Sequence, residues 1–402
     1  MCGIVGYVGP RAALDVVVEG LRRLEYRGYD SAGVAVVSDE GVLQVAKKAG
    51  RIENLDKELA AHQIVGSTGI GHTRWATHGA PNDRNAHPHV GGAGRVAVVH
   101  NGIVENFAEL RAGLEQAGVD YLSETDTECV AHLVAAELEQ GLGLADAVRA
   151  VCRVLEGAFT LVLVDRQSPD VVVAARRNSP LVVGVGTGEM FLGSDVAAFI
   201  EFTREAIELG QDQVVEITPD SCVITDFHGA VVDGRHFHID WDLAAAEKGG
   251  FEYFMLKEIE EQPAAVADTL LGHLVGGDIV LDEQRLDRQE LRDVDKVFIV
   301  ACGTAYHSGL IGKQAIEHWT RIPVEVELAS EFRYRDPVLD RSTLVVVISQ
   351  SGETMDTLMA LRHAKEQNAR VLAICNANGS TIPRESDAVL YTHAGPEVAV
   401  AS

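Results

Sequence analysis

Cys2 is the residue whose chemistry is clearest, because removal of Met1 would leave it at the amino terminus. It would then carry a thiol and a free α-amine side by side. A free thiol has a pKa of about 8.5 and a terminal amine one of about 7.7–8.0, so the amine can accept the thiol proton near neutral pH. Amino-terminal amines activate nucleophilic side chains in this way. Cys2 is therefore a candidate nucleophile, although MCGIVGYVG would also suit a buried structural strand.

Three further segments carry clustered polar groups: residues 71–79 (GHTRWATHG), 100–102 (HNG) and 123–128 (SETDTE). Together with CGIVGY at the start and YRGYDSAG at residues 26–33, they resemble the class II, or N-terminal nucleophile, glutamine amidotransferases over residues 2 to about 240. The resemblance implies an enzyme in which the Cys2 thiolate attacks the side-chain amide of glutamine.

Glutamine presents an α-carboxylate, an α-ammonium group and an amide, and each needs a partner. Arg74 offers a planar guanidinium for the carboxylate, and Asp126 offers a counter-charge for the ammonium group. Attack on the amide creates an oxyanion, which a side-chain amide and a backbone N–H group can stabilise. Asn101 and Gly102 resemble the oxyanion hole of the family.

Three more roles follow from the resemblance alone. It implies that Thr77 and His78 complete the glutamine-binding site. It also implies that Trp75 is a gate, whose indole separates the glutaminase pocket from an internal path for ammonia.

Simpler interpretations of single motifs stay open at this stage. Asn101-Gly102 is foremost a turn signal. Asp126 precedes a helical pattern, where a carboxylate would stabilise the helix amino terminus. A cluster of histidines also raises the question of a metal, but no cysteine lies at zinc spacing and no HExxH motif occurs, so we expect no metal. These histidines are His72, His78, His87, His89 and His100.

The second half of the chain carries hydroxyl-rich loops after two predicted buried strands. Thr304 follows the first strand, and SQSGET, residues 349–354, follows the second and leads into a helix. Backbone N–H groups at a helix start, with serine and threonine hydroxyls, can hold a phosphate, although an ordinary helix cap would use the same residues. The loops resemble the sugar isomerase (SIS) domain and imply a set of sugar-phosphate ligands: Thr304, Ser349, Gln350, Ser351 and Thr354.

A class II glutaminase joined to an SIS domain resembles the amidotransferases that make an amino sugar phosphate. The combination implies glutamine and fructose 6-phosphate as substrates, no cofactor, and a homodimer formed through SIS domains. Two alternatives stay open: a sugar-phosphate-binding regulator with an inert first half, or an amidotransferase for another sugar phosphate. Ala305 stands where the family commonly has a second hydroxyl. The chain stops at Ser402 where the first SIS half is closing, so we expect glutamine hydrolysis without a complete sugar step.

Hydrophobic periodicity predicts the elements that must position these residues. Strand-like stretches GIVGYV, AGVAVV, GRVAVVH, FTLVLVD, DVVVAAR and PLVVGVG alternate with helical patterns near residues 10–25, 105–117, 126–139 and 143–155. They predict an α+β layered sandwich at residues 1–240, and the resemblance implies its αββα, N-terminal nucleophile form. After a linker at 241–265, apolar strands separated by helices predict an α/β domain with a doubly wound parallel sheet at 266–402, which the resemblance of its loops implies is an SIS domain.

Composition narrows the class of protein. The formal net charge of −26 argues against nucleic acid or an anionic membrane as a partner. The six cysteines are dispersed, which fits a reducing cytoplasm. The first residues lack a basic leader followed by a long apolar region, so no signal peptide is predicted.

Overall fold

The computed structural model describes residues 2–25, 30–61, 63–75, 79–239, 251–270, 274–275, 278–279, 291–377, 380–395 and 397–399. The chain forms two compact units, Met1–Leu243 and Ala244–Ser402. None of the helices in these ranges combines the length and apolar character needed to cross a membrane.

The first unit contains two antiparallel sheets. Its strands are β1 (Gly3–Val8), β2 (Ser31–Val37), β3 (Leu43–Ala49), β4 (Thr68–Arg74), β5 (His89–Gly91), β6 (Val96–Val104), β7 (Gly157–Asp165), β8 (Val172–Arg177), β9 (Val182–Val185), β10 (Met190–Gly193), β11 (Glu205–Glu208), β12 (Gln213–Thr218), β13 (Ser221–Asp226) and β14 (Arg235–His238). The first sheet has the order β14-β11-β9-β10-β1-β4-β2-β3, and the second has the order β13-β12-β8-β7-β6-β5.

Three apolar clusters make this unit a four-layer sandwich. Its helices are α1 (Ala13–Leu24), α2 (Ile52–Leu59), α3 (Phe107–Gln116), α4 (Thr127–Glu139) and α5 (Leu144–Cys152), with a 3-10 turn at Val196–Ala198. One cluster packs α1 and α2 against the first sheet, a second lies between the sheets, and a third packs α4 and α5 against the second sheet. Strand β1 is buried on both faces, since Ile4 joins the cluster between the sheets and Val5 joins the cluster under α1.

The second unit has a five-stranded parallel sheet. Its elements are α6 (Phe254–Leu270), β15 (Leu274–Val275), β16 (Asp278–Ile279), β17 (Lys296–Ala301), α7 (Gly303–Thr320), β18 (Val324–Leu328), α8 (Ala329–Arg335), β19 (Thr343–Ser349), α9 (Met355–Glu366), β20 (Arg370–Cys375), α10 (Thr381–Glu385) and β21 (Ala388–Tyr391). The sheet order is β18-β17-β19-β20-β21, so the chain changes direction across the sheet between β17 and β19. Ligands of such sheets bind beyond the carboxyl ends of the strands at that switch point.

The predicted architecture is confirmed in both units. The predicted helices near 10–25, 105–117, 126–139 and 143–155 correspond to α1, α3, α4 and α5. The Asn-Gly turn is not observed, because Asn101 and Gly102 both lie inside β6. Gly102 nevertheless has φ of +125°, a conformation that glycine adopts easily and other residues rarely do.

Candidate active site

The Cys2 thiol meets the backbone at the end of β4. The Trp75 N–H group donates a hydrogen bond to Sγ at 3.1 Å, and Sγ lies 3.5 Å from the Trp75 carbonyl oxygen. Burial raises the pKa of the Cys2 thiol. The Trp75 hydrogen bond and the positive charges of the chain terminus and Arg74 oppose this rise, whereas Asp30 adds to it. A thiol whose pKa is raised needs a proton acceptor before it can act as a nucleophile.

Asn101 links the two sheets beside Cys2. Its Nδ2 donates to the Cys2 carbonyl oxygen at 2.9 Å, and its Oδ1 lies 3.0 Å from Nε2 of His72 on β4. The neighbouring Gly102 could not carry a side chain, because an added Cβ would lie 2.0 Å from the Ala158 carbonyl oxygen. The site thus places a side-chain amide and a glycine backbone next to the candidate nucleophile.

Arg74 ends β4 and is almost fully buried. Its guanidinium donates to the Gly79 carbonyl oxygen at 3.3 Å, and its charge acts on the Cys2 thiol. A buried guanidinium is an unusual group to retain in a strand, and its planar donors suit a carboxylate.

Asp126 is also buried, at the position just before α4. Its carboxylate makes no hydrogen bond that caps the helix and instead accepts from the Val104 N–H group on β6 at 2.8 Å. The His100 Nδ1 atom lies 3.9 Å from the same carboxylate oxygen. Asp126 is therefore tied to the second sheet rather than serving only as a first-turn charge.

Glu128 holds the turn that leads to Asp126. Its carboxylate accepts hydrogen bonds from the Leu122 N–H at 2.7 Å, from the Ser123 N–H at 2.6 Å and from the Ser123 hydroxyl at 2.5 Å. Burial acts to raise the pKa of Glu128, but these bonds and His132 outweigh it and lower the pKa to about 2. Glu128 thus stays ionised and fixes the backbone at residues 122–123, in the turn that precedes Asp126.

The buried histidines behind the site form a packed, neutral cluster. His72 and His87 stack with ring centroids 4.3 Å apart, and His87 meets His89 edge to face at 4.9 Å. Burial lowers the pKa of His72 to about 3 and the pKa values of His87 and His89 well below their usual range. Across the part of the chain that the structure describes, no group of three or more His, Cys, Asp or Glu is arranged to hold a metal ion.

Two residues anchor the segment that follows β4. Asn85 is fully buried, donates to the Ala80 carbonyl at 3.1 Å and exchanges hydrogen bonds with Glu124 at 2.9 and 3.0 Å. The Lys47 ammonium donates to the carbonyl oxygens of three residues between 84 and 88, at 3.3, 2.7 and 3.1 Å. Burial lowers the pKa of Lys47 to about 8.

The structure brings together most of the residues that the sequence singled out. Cys2, Arg74 and Trp75 meet at the ends of β1 and β4, and Asn101 reaches them from β6. The Trp75 side chain is 47% exposed. The predicted ligands Thr77 and His78 lie outside the described residues, as do residues 26–29 of the YRGYDSAG segment.

Sequence reasoning assigned no site role to three residues that act on this constellation, although each lies in a quoted motif. Asp30 influences the thiol, His72 contacts Asn101, and Glu128 fixes the turn before α4. The signal for His72 was a histidine inside a strand of otherwise small or apolar residues, TGIGHTR. Such a residue needs a buried hydrogen-bond partner.

The second unit brings the two hydroxyl-rich loops to the same edge of its sheet. Ala301 at the end of β17 pairs in register with Ile348 on β19, so the loops after both strands flank the switch point. Thr304 lies in the first turn of α7 and is exposed. Ser349 is buried at the end of β19, and its hydroxyl accepts from the Gly352 N–H group at 3.1 Å.

The loop from Ser349 to Thr354 is held by hydrogen bonds between its own residues. The hydroxyls of Ser349 and Thr354 are 3.0 Å apart, and the Ser351 hydroxyl accepts from the Glu353 N–H at 3.2 Å. Thr354 occupies the position before α9 but makes no side-chain cap. The backbone of Gln350 ties the loop to the end of β20, because its carbonyl oxygen accepts hydrogen bonds from the N–H groups of Asn376 and Ala377 at 3.1 Å each.

Two family models match the chain. A glutamine amidotransferase domain matches residues 72–201, and an SIS domain matches residues 290–402. Among curated relatives, glutamine–fructose-6-phosphate aminotransferase (isomerizing) of Streptomyces coelicolor is 71% identical over 404 residues. The protein of the same name from Mycobacterium tuberculosis is 69% identical over 413 residues. Each match covers 100% of this chain and 66% of the relative, so the chain spans slightly less than two thirds of their length.

A solved structure shares the fold at lower identity. The glutamine phosphoribosylpyrophosphate amidotransferase from B. subtilis aligns with a TM-score of 0.51 and 18% identity, over 97% of this chain and 90% of that one. At this identity the likeness concerns the fold alone.

Proposed function

We propose that the chain belongs to the family of isomerizing glutamine–fructose-6-phosphate aminotransferases and that it takes part in forming D-glucosamine 6-phosphate and L-glutamate from L-glutamine and D-fructose 6-phosphate. In the same proposal residues 1–240 form the glutaminase, 241–265 the connection and 266–402 the SIS domain. This reaction would be the first step of amino-sugar synthesis, carried out in the cytoplasm by a homodimer without a cofactor, nucleic acid or membrane partner.

One observation carries the glutaminase half of the proposal. The Cys2 thiol accepts a hydrogen bond from the Trp75 N–H group, and the Cys2 carbonyl oxygen accepts one from the Asn101 side-chain amide. The candidate nucleophile and an amide donor are therefore in direct contact, in a site that also contains the buried Arg74. This combination suits attack on a carbonyl carbon and stabilisation of the resulting oxyanion.

The chemistry then proceeds through a covalent intermediate. After Met1 is removed, the Cys2 amine takes the thiol proton, and the thiolate attacks the glutamine amide carbon. Asn101 and Gly102 stabilise the oxyanion with a side-chain amide and a backbone N–H group. The proton passes to the leaving nitrogen, ammonia departs, and a γ-glutamyl thioester remains until water hydrolyses it to glutamate and restores the thiol.

Binding of the two substrates is assigned to the remaining residues. Arg74 holds the glutamine carboxylate and Asp126 the ammonium group, with Thr77 and His78 completing the pocket. Trp75 gates the path of ammonia towards the sugar. Five residues are assigned to the sugar phosphate: Thr304, Ser349, Gln350, Ser351 and Thr354. Two features of the Ser349–Thr354 loop support that assignment: the Ser349 and Thr354 hydroxyls lie side by side, and Thr354 does not cap the helix that follows.

The test is glutamate release from glutamine, measured with and without fructose 6-phosphate, while amino sugar is assayed in parallel. We expect Cys2→Ala to abolish glutamate release. Cys222→Ala is the matched control, because Cys222 is a partly buried cysteine of the same unit on the outer strand β13, and it should leave the rate unchanged. Glutamate release that survives in Cys2→Ala would refute the proposed nucleophile.

A further inference from the structure

We infer that His72 is a positioning residue for this reaction: it holds the Oδ1 end of the Asn101 side-chain amide, so that the NH2 group at the other end stays in place at the Cys2 end of the site. The inference rests on the proposed function of Cys2 as the nucleophile that generates an oxyanion. It assigns to His72 no contact with the substrate and no transfer of a proton.

The contact crosses from one sheet to the other. His72 lies on β4 of the first sheet and is 1% exposed, whereas Asn101 lies on β6 of the second sheet and is 8% exposed. Nε2 of His72 and Oδ1 of Asn101 are 3.0 Å apart. At the other end of the same amide, Nδ2 donates to the Cys2 carbonyl oxygen at 2.9 Å. Asn101 is therefore held from both ends.

The Cys2 carbonyl oxygen selects the orientation of the amide, and the Nε2–H tautomer of His72 matches it. With Oδ1 towards His72, the imidazole N–H donates to it, and Nδ2 donates to the Cys2 carbonyl. In the reversed orientation Oδ1 would face that carbonyl oxygen, and two acceptors would oppose each other in a buried place. One hydrogen of the Asn101 NH2 group is donated to the Cys2 carbonyl oxygen, and the other can be directed at an oxyanion.

His72 cannot easily leave this position. Its ring stacks on His87 with an interplanar angle of 23° and a centroid distance of 4.3 Å. Burial keeps the imidazole neutral at working pH, since its pKa is lowered to about 3. A neutral imidazole has one N–H group, and the Asn101 contact determines that this group is Nε2–H. The strand register places His72 near Cys2, because His72 pairs with Ile4 on β1, two residues beyond Cys2.

Two polar substitutions at His72 test whether the hydrogen bond to Asn101 depends on the length of the donor side chain. In His72→Gln the side-chain amide extends about as far as Nε2 of the histidine and can still donate to Asn101. In His72→Asn the amide is one methylene shorter and cannot. Loss of one oxyanion donor costs about 10²–10³-fold in kcat. We expect His72→Asn to lower kcat for glutamate release by about 10–100-fold with KM changed less than about threefold, and His72→Gln to recover most of that loss.

A second readout separates oxyanion stabilisation from damage to the thiol. Iodoacetamide alkylates Cys2 by displacement at a saturated carbon, so no oxyanion forms and the rate should be the same in wild type and both variants. His72→Asn should also have no further effect on kcat in an Asn101→Ala background, because the group that it positions is gone. All assays are run below the lowest melting temperature of the set.

The outcomes distinguish failure of the proposed function from failure of the role assigned to His72. If the wild-type chain releases no Cys2-dependent glutamate, the proposed function fails, not the role of His72. If the wild type is active and His72→Asn matches it, the inference is overturned. It is also overturned if alkylation slows in parallel with turnover, if Gln and Asn are equally impaired, or if the effects of His72→Asn and Asn101→Ala simply multiply.

Discussion

Glu128 gives the prediction whose size follows most directly from the structure. Its carboxylate accepts two backbone N–H groups and the Ser123 hydroxyl, and its pKa is lowered from the ordinary 4.5 to about 2. Each pKa unit corresponds to about 1.4 kcal/mol, so ionised Glu128 contributes about 3 kcal/mol to the free energy of unfolding at pH 7. We expect Glu128→Gln to lose about that amount.

The pH dependence has a definite sign. A carboxyl group whose pKa is lowered in the folded state stabilises the fold above the unfolded pKa, and this contribution disappears as the pH falls through the folded pKa. The difference in unfolding free energy between wild type and Glu128→Gln should therefore be constant above about pH 5. It should shrink between pH 4.5 and pH 2, the two pKa values of Glu128.

Urea unfolding followed by circular dichroism at several pH values measures this difference, with limited proteolysis used to assign the transition to the first unit. Glu139→Gln is the control, since Glu139 is an exposed carboxylate at the end of the same helix, α4. It should change stability by less than about 0.5 kcal/mol. A loss of similar size in both variants, or a Glu128→Gln difference that does not shrink in acid, would refute the reasoning.

Other perturbations give equally distinct expectations. Gly102→Ala should lower both the melting temperature and kcat, because a Cβ there would lie 2.0 Å from a carbonyl oxygen, whereas Gly113→Ala, in open space inside α3, should stabilise by up to about 1 kcal/mol in the same thermal scan. Asn85→Ala should cost about 2–3 kcal/mol in urea unfolding, and a smaller loss would show that its buried bonds are dispensable. Ser349→Ala should weaken fructose 6-phosphate binding and lower the melting temperature, whereas the exposed Thr304→Ala should affect calorimetric binding alone.

The long, strongly patterned elements could be predicted from the sequence, and the short polar ones could not. The continuous apolar runs of β6, β7 and β19 and the periodic faces of α1 and α4 each carry their own signal. In contrast, β5 is three residues long and contains a histidine, and β14 (RHFH) is mostly polar. Such strands form because neighbouring strands offer backbone groups for pairing. A short stretch of sequence does not show which strands will lie beside it.

The candidate site divides in the same way. Motifs identified Cys2, Arg74, Asn101 and Asp126, because their chemistry is explicit in their residue types. The contact between His72 Nε2 and Asn101 Oδ1 joins positions 29 residues apart on different sheets, so no spacing rule predicts it. For Asp126, the sequence left open whether the carboxylate serves the helix or a ligand. The bond to Val104 settles only that it does not cap its own helix.

The two-sheet construction around Asn101 also constrains how this molecule can change. The thiol is carried by one sheet and the amide by the other, so the apolar layer between them acts as a spacer that sets their separation. Val99 belongs to that layer and lies two residues before Asn101 on β6. Packed interiors respond to the loss of even one methylene group. Substitutions in this layer would therefore move the thiol relative to the amide without changing a polar residue, and in the proposed mechanism they would lower turnover.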